Sequence, residues 1–183
     1  KKFVVPFSIQ SIIEEFTEPA TNIKNCKFVK IRPIDSLKKT TDEFVGKEEC
    51  MFVRHPETYT FYHYFKNKGV KNVNFYAEFP LHSFEVIKNL IDLGLGNKEK
   101  ITVDNLKIKP VEVITEVLKN IKSPKGYREK EDLWVEIFGK KNQKSKRIMM
   151  QCVVNTLDGW EDAGCNIDTG MPASIMAQMI KNK

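Results

Sequence analysis

The chain has 183 residues, 41% of them apolar, with 12 Phe, 5 Tyr and 2 Trp. That length suits one domain or a little more, and that apolar content excludes extended disorder. No stretch approaches the ~18 consecutive apolar residues of a membrane span, and the +6 net charge comes from 26 scattered Lys and only 4 Arg, so neither membrane nor nucleic acid is an expected partner.

The N-terminus, Lys1-Lys2-Phe3-Val4-Val5-Pro6, shows neither a start Met nor the h-region of a signal peptide. It reads as a cut inside a longer chain, in a cytoplasmic protein whose Cys26, Cys50, Cys152 and Cys165 stay reduced. No Cys or His spacing suits zinc, so no metal is expected, and Cys152 is placed in the core. Ser8 caps a helix from Ile9 to Phe16, because Ile9, Ile12, Ile13 and Phe16 form one apolar stripe. Ala20 to Lys24 and Lys27 to Arg32 form a hairpin turning at Asn25-Cys26. Pro33 to Lys47 is polar and loop-like, and Cys50 to Arg54 is a short strand.

Val70 to Phe79 is the clearest strand. Val73, Phe75, Ala77 and Phe79 share one face; Asn72, Asn74, Tyr76 and Glu78 share the other. A helix follows from Ser83 to Leu93 and stops at Gly94 and Gly96. Ile101 to Lys109 is irregular, with one small strand at most. Pro110 opens the next helix, which buries Ile114, Val117, Leu118 and Ile121 and breaks at Ser123-Pro124-Lys125-Gly126. Leu133 to Phe138 and Arg147 to Thr156 form a long hairpin. Met149 to Val154 is apolar on both faces, which predicts a central place in the sheet. The lysines between the two arms mark a solvated tip or, as the sharper alternative, a phosphate-binding patch. A last helix runs from Pro172 to Ile180 with Ile175, Met176, Met179 and Ile180 as its apolar stripe.

Few residues suggest chemistry. Arg54 suits a bidentate grip on a substrate carboxylate, or an ordinary surface ion pair. His55 follows it at a strand end, and His82 sits where a strand gives way to a helix; either is a candidate hydrogen-bonding group, or a structural histidine. Tyr76, with Asn74 and Glu78, lines a substrate pocket or a dimer interface. Thr169, Gly170 and Pro172 offer small residues and free helix N-terminal amides to a cofactor phosphate, or make an ordinary helix start. There is no GxGxxG, Walker loop, GxSxG or HExxH, and the catalytic acid and base are unassigned.

The ending Thr169-Gly170-Met171-Pro172-Ala173-Ser174-Ile175-Met176-Ala177-Gln178-Met179-Ile180 resembles the TGxPASIxAQM ending of the saccharopine dehydrogenase family. That family includes saccharopine reductases, lysine 6-dehydrogenases and carboxynorspermidine dehydrogenases. Phe7 to Ala20, Phe79-Pro80-Leu81-His82 with Ile87 to Leu95, and Asp132 to Ile137 resemble family segments in the same order. The resemblance implies that residues 1–183 form the substrate-binding and dimerisation domain, with a Rossmann domain upstream that binds NAD or NADP. It implies an α+β fold: a mixed, largely antiparallel sheet with helices on one face, similar to the C-terminal domain of glyceraldehyde-3-phosphate dehydrogenase. His82 falls on a family His, and Thr169, Gly170 and Pro172 fall on the segment that returns toward the cofactor. Several relatives carry Arg where this chain has Asn74 to Glu78, so lysine or another amine stands beside saccharopine as the expected substrate. The implied reaction is hydride transfer between NAD(P) and a C–N bond of a small amino acid, in a homodimer, with this chain inactive by itself. The alternative is a non-catalytic oligomerisation or partner-binding domain of the same fold.

Overall fold

The computed structural model describes residues 8–122, 125–161 and 164–182. The expected chain cut at Lys1 to Pro6 and the helix break at Ser123-Pro124 lie outside them. The architecture is α+β, with helices and strands in small antiparallel sheets and, among the described residues, no closed barrel. A single sheet was expected; the described strands instead form four separate ones. The chain divides into two compact units. One holds the described residues of 1–41 and 47–123, the other those of 42–46 and 124–183.

The first unit begins with α1 (Ile9–Thr17). The Ser8 hydroxyl accepts the Ser11 N–H at 3.5 Å, and Ile9, Ile12, Ile13 and Phe16 are buried. Each such side chain contributes about 1.5–3 kcal/mol by leaving water. β1 (Ala20–Lys24) pairs antiparallel with β2 (Lys27–Ile31). Asn25 and Cys26 make the turn at φ 51° and 64°. Cys resists that conformation, and long-range bonds hold it there. The Cys26 N–H donates to the Lys71 carbonyl at 2.8 Å, and the Asn25 N–H to the Asn72 side chain at 2.9 Å.

The polar segment after β2 is structured. A 3-10 turn at Pro33–Ser36 leads to β3 (Lys38–Asp42) and β4 (Gly46–Phe52). Its low apolar content hid a strand whose stability comes from pairing. After β4 comes α2 (Glu57–Phe65), a helix that no apolar stripe in the sequence announces. Next, β5 (Tyr76–Pro80) pairs with β4. The strand expected over Val70 to Phe79 is split, because its two ends pair with different partners. Val73 exchanges backbone bonds of 2.9 and 3.0 Å with Ile23 of β1, while Tyr76–Pro80 joins β4. The facing holds: Phe79 is buried, Phe75 and Ala77 pack on the core, and Tyr76 points out.

α3 (Leu81–Asp92) ends in a Schellman motif: the Gly94 N–H bonds the Ile91 carbonyl and the Leu95 N–H the Leu90 carbonyl, with Gly94 at φ 87°. The stretch expected to hold one strand at most is a hairpin of β6 (Ile101–Val103) and β7 (Leu106–Ile108), turned by Asp104 and Asn105 at φ 47° and 66°. α4 (Pro110–Lys119) starts on Pro110 as expected. It buries Ile114 and Leu118 but leaves Val117 exposed, and it ends at Lys119, so the exposed Ile121 lies beyond it; the buried face is narrower than the periodicity suggests. α1 packs against α3 and α4, and the core of this unit lies among these helices, β4 and β5.

The second unit is built on β8 (Lys130–Lys141) and β9 (Lys144–Asn155), joined at Asn142 and Gln143 with φ 52° and 61°. No third described strand joins them, so the expected central position in a sheet is not found. Trp134, Val135, Met149 and Met150 are exposed, and so is Cys152, which was expected in the core. Two apolar faces signal burial, but not what buries them. α5 (Ile167–Lys181) starts five residues before the expected Pro172, and its stripe of Ile175, Met176, Met179 and Ile180 is exposed. No described helix is long and apolar enough to cross a membrane.

Candidate functional site

In the first unit, pairing of β4 and β5 brings three of the candidate residues to one end of that strand pair. Phe52 faces Tyr76 in the last rung, and the Val53 N–H still reaches the Phe75 carbonyl at 3.3 Å. The chain then leaves the sheet at Arg54. The His55 ring lies on the Phe75 ring, with centroids 4.0 Å apart and planes 7° apart. Its Nδ1 pairs with the Glu57 carboxylate at the start of α2. The Tyr76 ring packs on Phe52 at 4.5 Å, and the Lys38 ammonium sits 3.9 Å above its centroid. A cation and a second ring therefore set where this phenol stands.

Arg54 is exposed, and its guanidinium forms no ion pair among the described residues. The acid it acts on electrostatically is Glu18, which already holds Lys98. Lys98 is also the main cause that keeps the Glu18 carboxyl below its ordinary range; Arg54 adds a smaller pull. Arg54 thus retains its planar set of donors for an incoming carboxylate.

His82 is not part of this group. It is the second residue of α3, beyond the Glu48–Pro80 rung, while Tyr76 occupies the Phe52 rung at the opposite end. Four residues of strand separate those rungs by about 13 Å.

Thr169, Gly170 and Pro172 belong to the second unit. The expected free amides are not there, because the Thr169 and Gly170 N–H groups both donate to the Asn166 carbonyl, at 3.2 and 3.1 Å. All three residues lie exposed on α5, and Pro172 is inside the helix, where it cannot bond the Asp168 carbonyl.

The second unit also holds a cluster that the sequence did not reveal. Glu129 and Glu131, two apart, project to the same side at the start of β8. Cys165 crosses over them: its N–H donates to the Glu129 carboxylate at 2.9 Å, and its thiol points at the Val154 carbonyl at 3.7 Å. One oxygen from each Glu and the Cys165 sulfur lie within 4.8 Å of one another. Burial, then Asp168 and Glu129, push the Glu131 carboxyl up to about 7. Burial, then Glu131, Glu129 and Asp168, push the Cys165 thiol up to about 11. The cluster therefore takes up a proton near neutrality. Its donor set also suits a divalent cation, which would have to displace the thiol proton. A Glu-x-Glu pair was visible in the sequence; the thiol that completes it lies 36 residues away in the chain.

The sequence profile of the saccharopine dehydrogenase C-terminal domain matches residues 1–183, the whole chain. No curated protein sequence matches.

Proposed function

The chain belongs to the saccharopine dehydrogenase C-terminal domain family, and we propose that it forms the substrate-binding and dimerisation part of an NAD(P)-dependent oxidoreductase acting on a C–N bond of a lysine-type amino acid. The match over the full chain carries this proposal, and the grouping of Arg54, His55 and Tyr76 supports it. The Arg54 guanidinium grips the substrate carboxylate through two parallel hydrogen bonds. Tyr76, fixed by Phe52 and Lys38, and His55, fixed by Phe75 and Glu57, stand at the same end of the strand pair on its two faces, each a polar contact for a different part of the substrate. His82 contacts the substrate only where the molecule is long enough to reach the other end of β5.

Members of the family generally use NAD(P). When bound, the nicotinamide gives or takes the hydride. The residues of this chain hold and orient the amino acid. Thr169, Gly170 and Pro172 offer no free backbone donors, so no step is assigned to them. The exposed apolar faces of β8, β9 and α5 support the homodimer, in which a second copy covers them. The same faces favour the other reading, an oligomerisation domain without catalysis. Four free thiols support a reducing, cytoplasmic setting.

The test is nicotinamide absorbance on the full-length protein, with lysine and saccharopine as substrates and NAD and NADP as cofactors. Turnover dependent on either amino acid supports the enzyme, and the 183-residue chain alone should show none. Silence in all four combinations leaves the non-catalytic reading.

A further inference from the structure

Two segments of the first unit share a charge pattern, and the fold joins them. Residues 19–34 and 58–77 contain no Asp or Glu, yet carry Lys24, Lys27, Lys30, Arg32, Lys66, Lys68 and Lys71. Ile23 and Val73 link the segments by paired backbone bonds, the Cys26 N–H reaches the Lys71 carbonyl, and the Tyr62 hydroxyl donates to the Cys26 carbonyl at 3.1 Å. Arg32 is neutralised by Asp35 at 2.8 Å. The six lysines form no ion pair among the described residues.

Aromatic rings stand among these cations. Phe28, 56% exposed, stacks on Tyr59 at 5.3 Å and 27° and meets the edge of Tyr62 at 6.0 Å. With His63, Tyr64 and Lys66 these rings line an open groove of about 440 Å³. Tyr64 is 73% exposed. Lys30 shares the β2 face of Phe28, and the Lys68 ammonium sits 5.4 Å over the Phe65 ring.

Ring faces left in water call for a partner with flat apolar surfaces, and lysines without local acids call for a negative one. One phosphate group would engage one or two of these cations. Six, spread along two joined segments, match a chain of phosphates. A duplex hides its base faces, whereas a single strand presents them. We propose that this face binds single-stranded nucleic acid, stacking bases on Phe28, Tyr59 and Tyr64 and running phosphates along the lysines. Few arginines and dispersed lysines argue against nucleic acid in the sequence; folding joins the two segments that carry six of those lysines and the exposed rings. The proposal does not depend on the oxidoreductase function.

The test is fluorescence anisotropy of the 183-residue chain with labelled single strands of about 12 nucleotides, within the span such surfaces cover. RNA and DNA strands, a duplex of the same sequence, and heparin and uridine monophosphate as competitors complete it. The single strand should bind about tenfold or more tighter than the duplex. Log affinity should fall with log salt by about 0.7 for each phosphate engaged. Tyr64→Ala removes an exposed ring and should weaken binding about tenfold, in line with one lost stacked base. Lys27→Glu and Lys66→Glu should weaken binding and flatten the salt slope. Circular dichroism confirms that each variant is folded. A preference for RNA or for DNA leaves the proposal standing and identifies the strand. Equal binding of duplex, displacement by the mononucleotide as effective as by the strand, no effect of Tyr64→Ala, or no binding would each overturn it.

Discussion

His55 lies flat against Phe75, ring over ring, while Glu57 holds its Nδ1. The contact joins the residue that leaves β4 to the one that enters β5, so the imidazole orientation depends on the pairing of those strands. Phe75→Ala removes the stack and part of a core contact. It should cost about 1–3 kcal/mol, measured by urea denaturation. Phe75→Tyr keeps the ring face and should cost less than about 1 kcal/mol. Equal stability of wild type and Phe75→Ala would show that the ring is not packed in this way.

Gly164 is the point where the chain passes over Glu129. Its φ is 56°, and a Cβ there would collide with a Glu129 carboxylate oxygen. That oxygen accepts the N–H of Cys165. Gly164→Ala therefore strains the backbone and pushes the carboxylate off its donor, for a loss of about 1–2 kcal/mol. Both tryptophans, Trp134 and Trp160, belong to the second unit, so Trp fluorescence follows its unfolding alone. An unchanged midpoint would mean that the carboxylate moves aside at no cost.

Glu131 makes the second unit sensitive to pH. Its carboxyl stands at about 7 in the folded chain against an ordinary 4.5, mainly through burial. The folded state therefore holds a proton that the unfolded state has already released. This contribution is complete below about pH 4.5 and is lost as pH rises through 7. Because Glu131 is partly open to solvent, the loss should be on the order of 1 kcal/mol. Trp-monitored unfolding at pH 5 and pH 8 should show it, and Glu131→Gln should reduce the difference. A wild-type midpoint that rises with pH while that of Glu131→Gln does not would reverse the sign and refute the assignment.

The four thiols should separate by reactivity. Cys26 is exposed and should react with a disulfide reagent at the rate of a free thiol. Cys50 and Cys165 are buried, with thiols pushed up to about 11, and should react only on unfolding. Cys152 is exposed on the apolar ribbon of β8 and β9. If two copies cover that ribbon, Cys152 should slow as protein concentration rises while Cys26 does not. A Cys152 rate independent of concentration, together with a monomer by light scattering, would remove the dimer.

Local signals in the sequence carried local structure. Ser8 and the Ile9 to Phe16 stripe fixed α1, Pro110 fixed the start of α4, and Gly94 fixed the end of α3. Pairing partners were not legible. Nothing in Val70 to Phe79 says that Val73 turns to Ile23 while Tyr76 to Pro80 turns to β4. α2 was missed because six of its nine residues are aromatic or His, which are weak helix formers, and they give no single buried stripe. Among the site residues, the β4–β5 register brings Arg54, His55 and Tyr76 to one end of the strand pair, with the His55 ring on the Phe75 face and the Tyr76 ring on the other, and the same register sends His82 to the far end. The Glu129–Glu131–Cys165 cluster needed the fold, since its thiol comes from a distant turn.

Arg54 is the residue on which the proposed hold on the amino-acid substrate turns. Steady-state kinetics of the full-length protein should compare wild type with Arg54→Ala on whichever of lysine and saccharopine it oxidises. A lost charged hydrogen bond predicts a KM about ten- to a hundredfold higher, with kcat changed much less. A KM equal to that of wild type would contradict it.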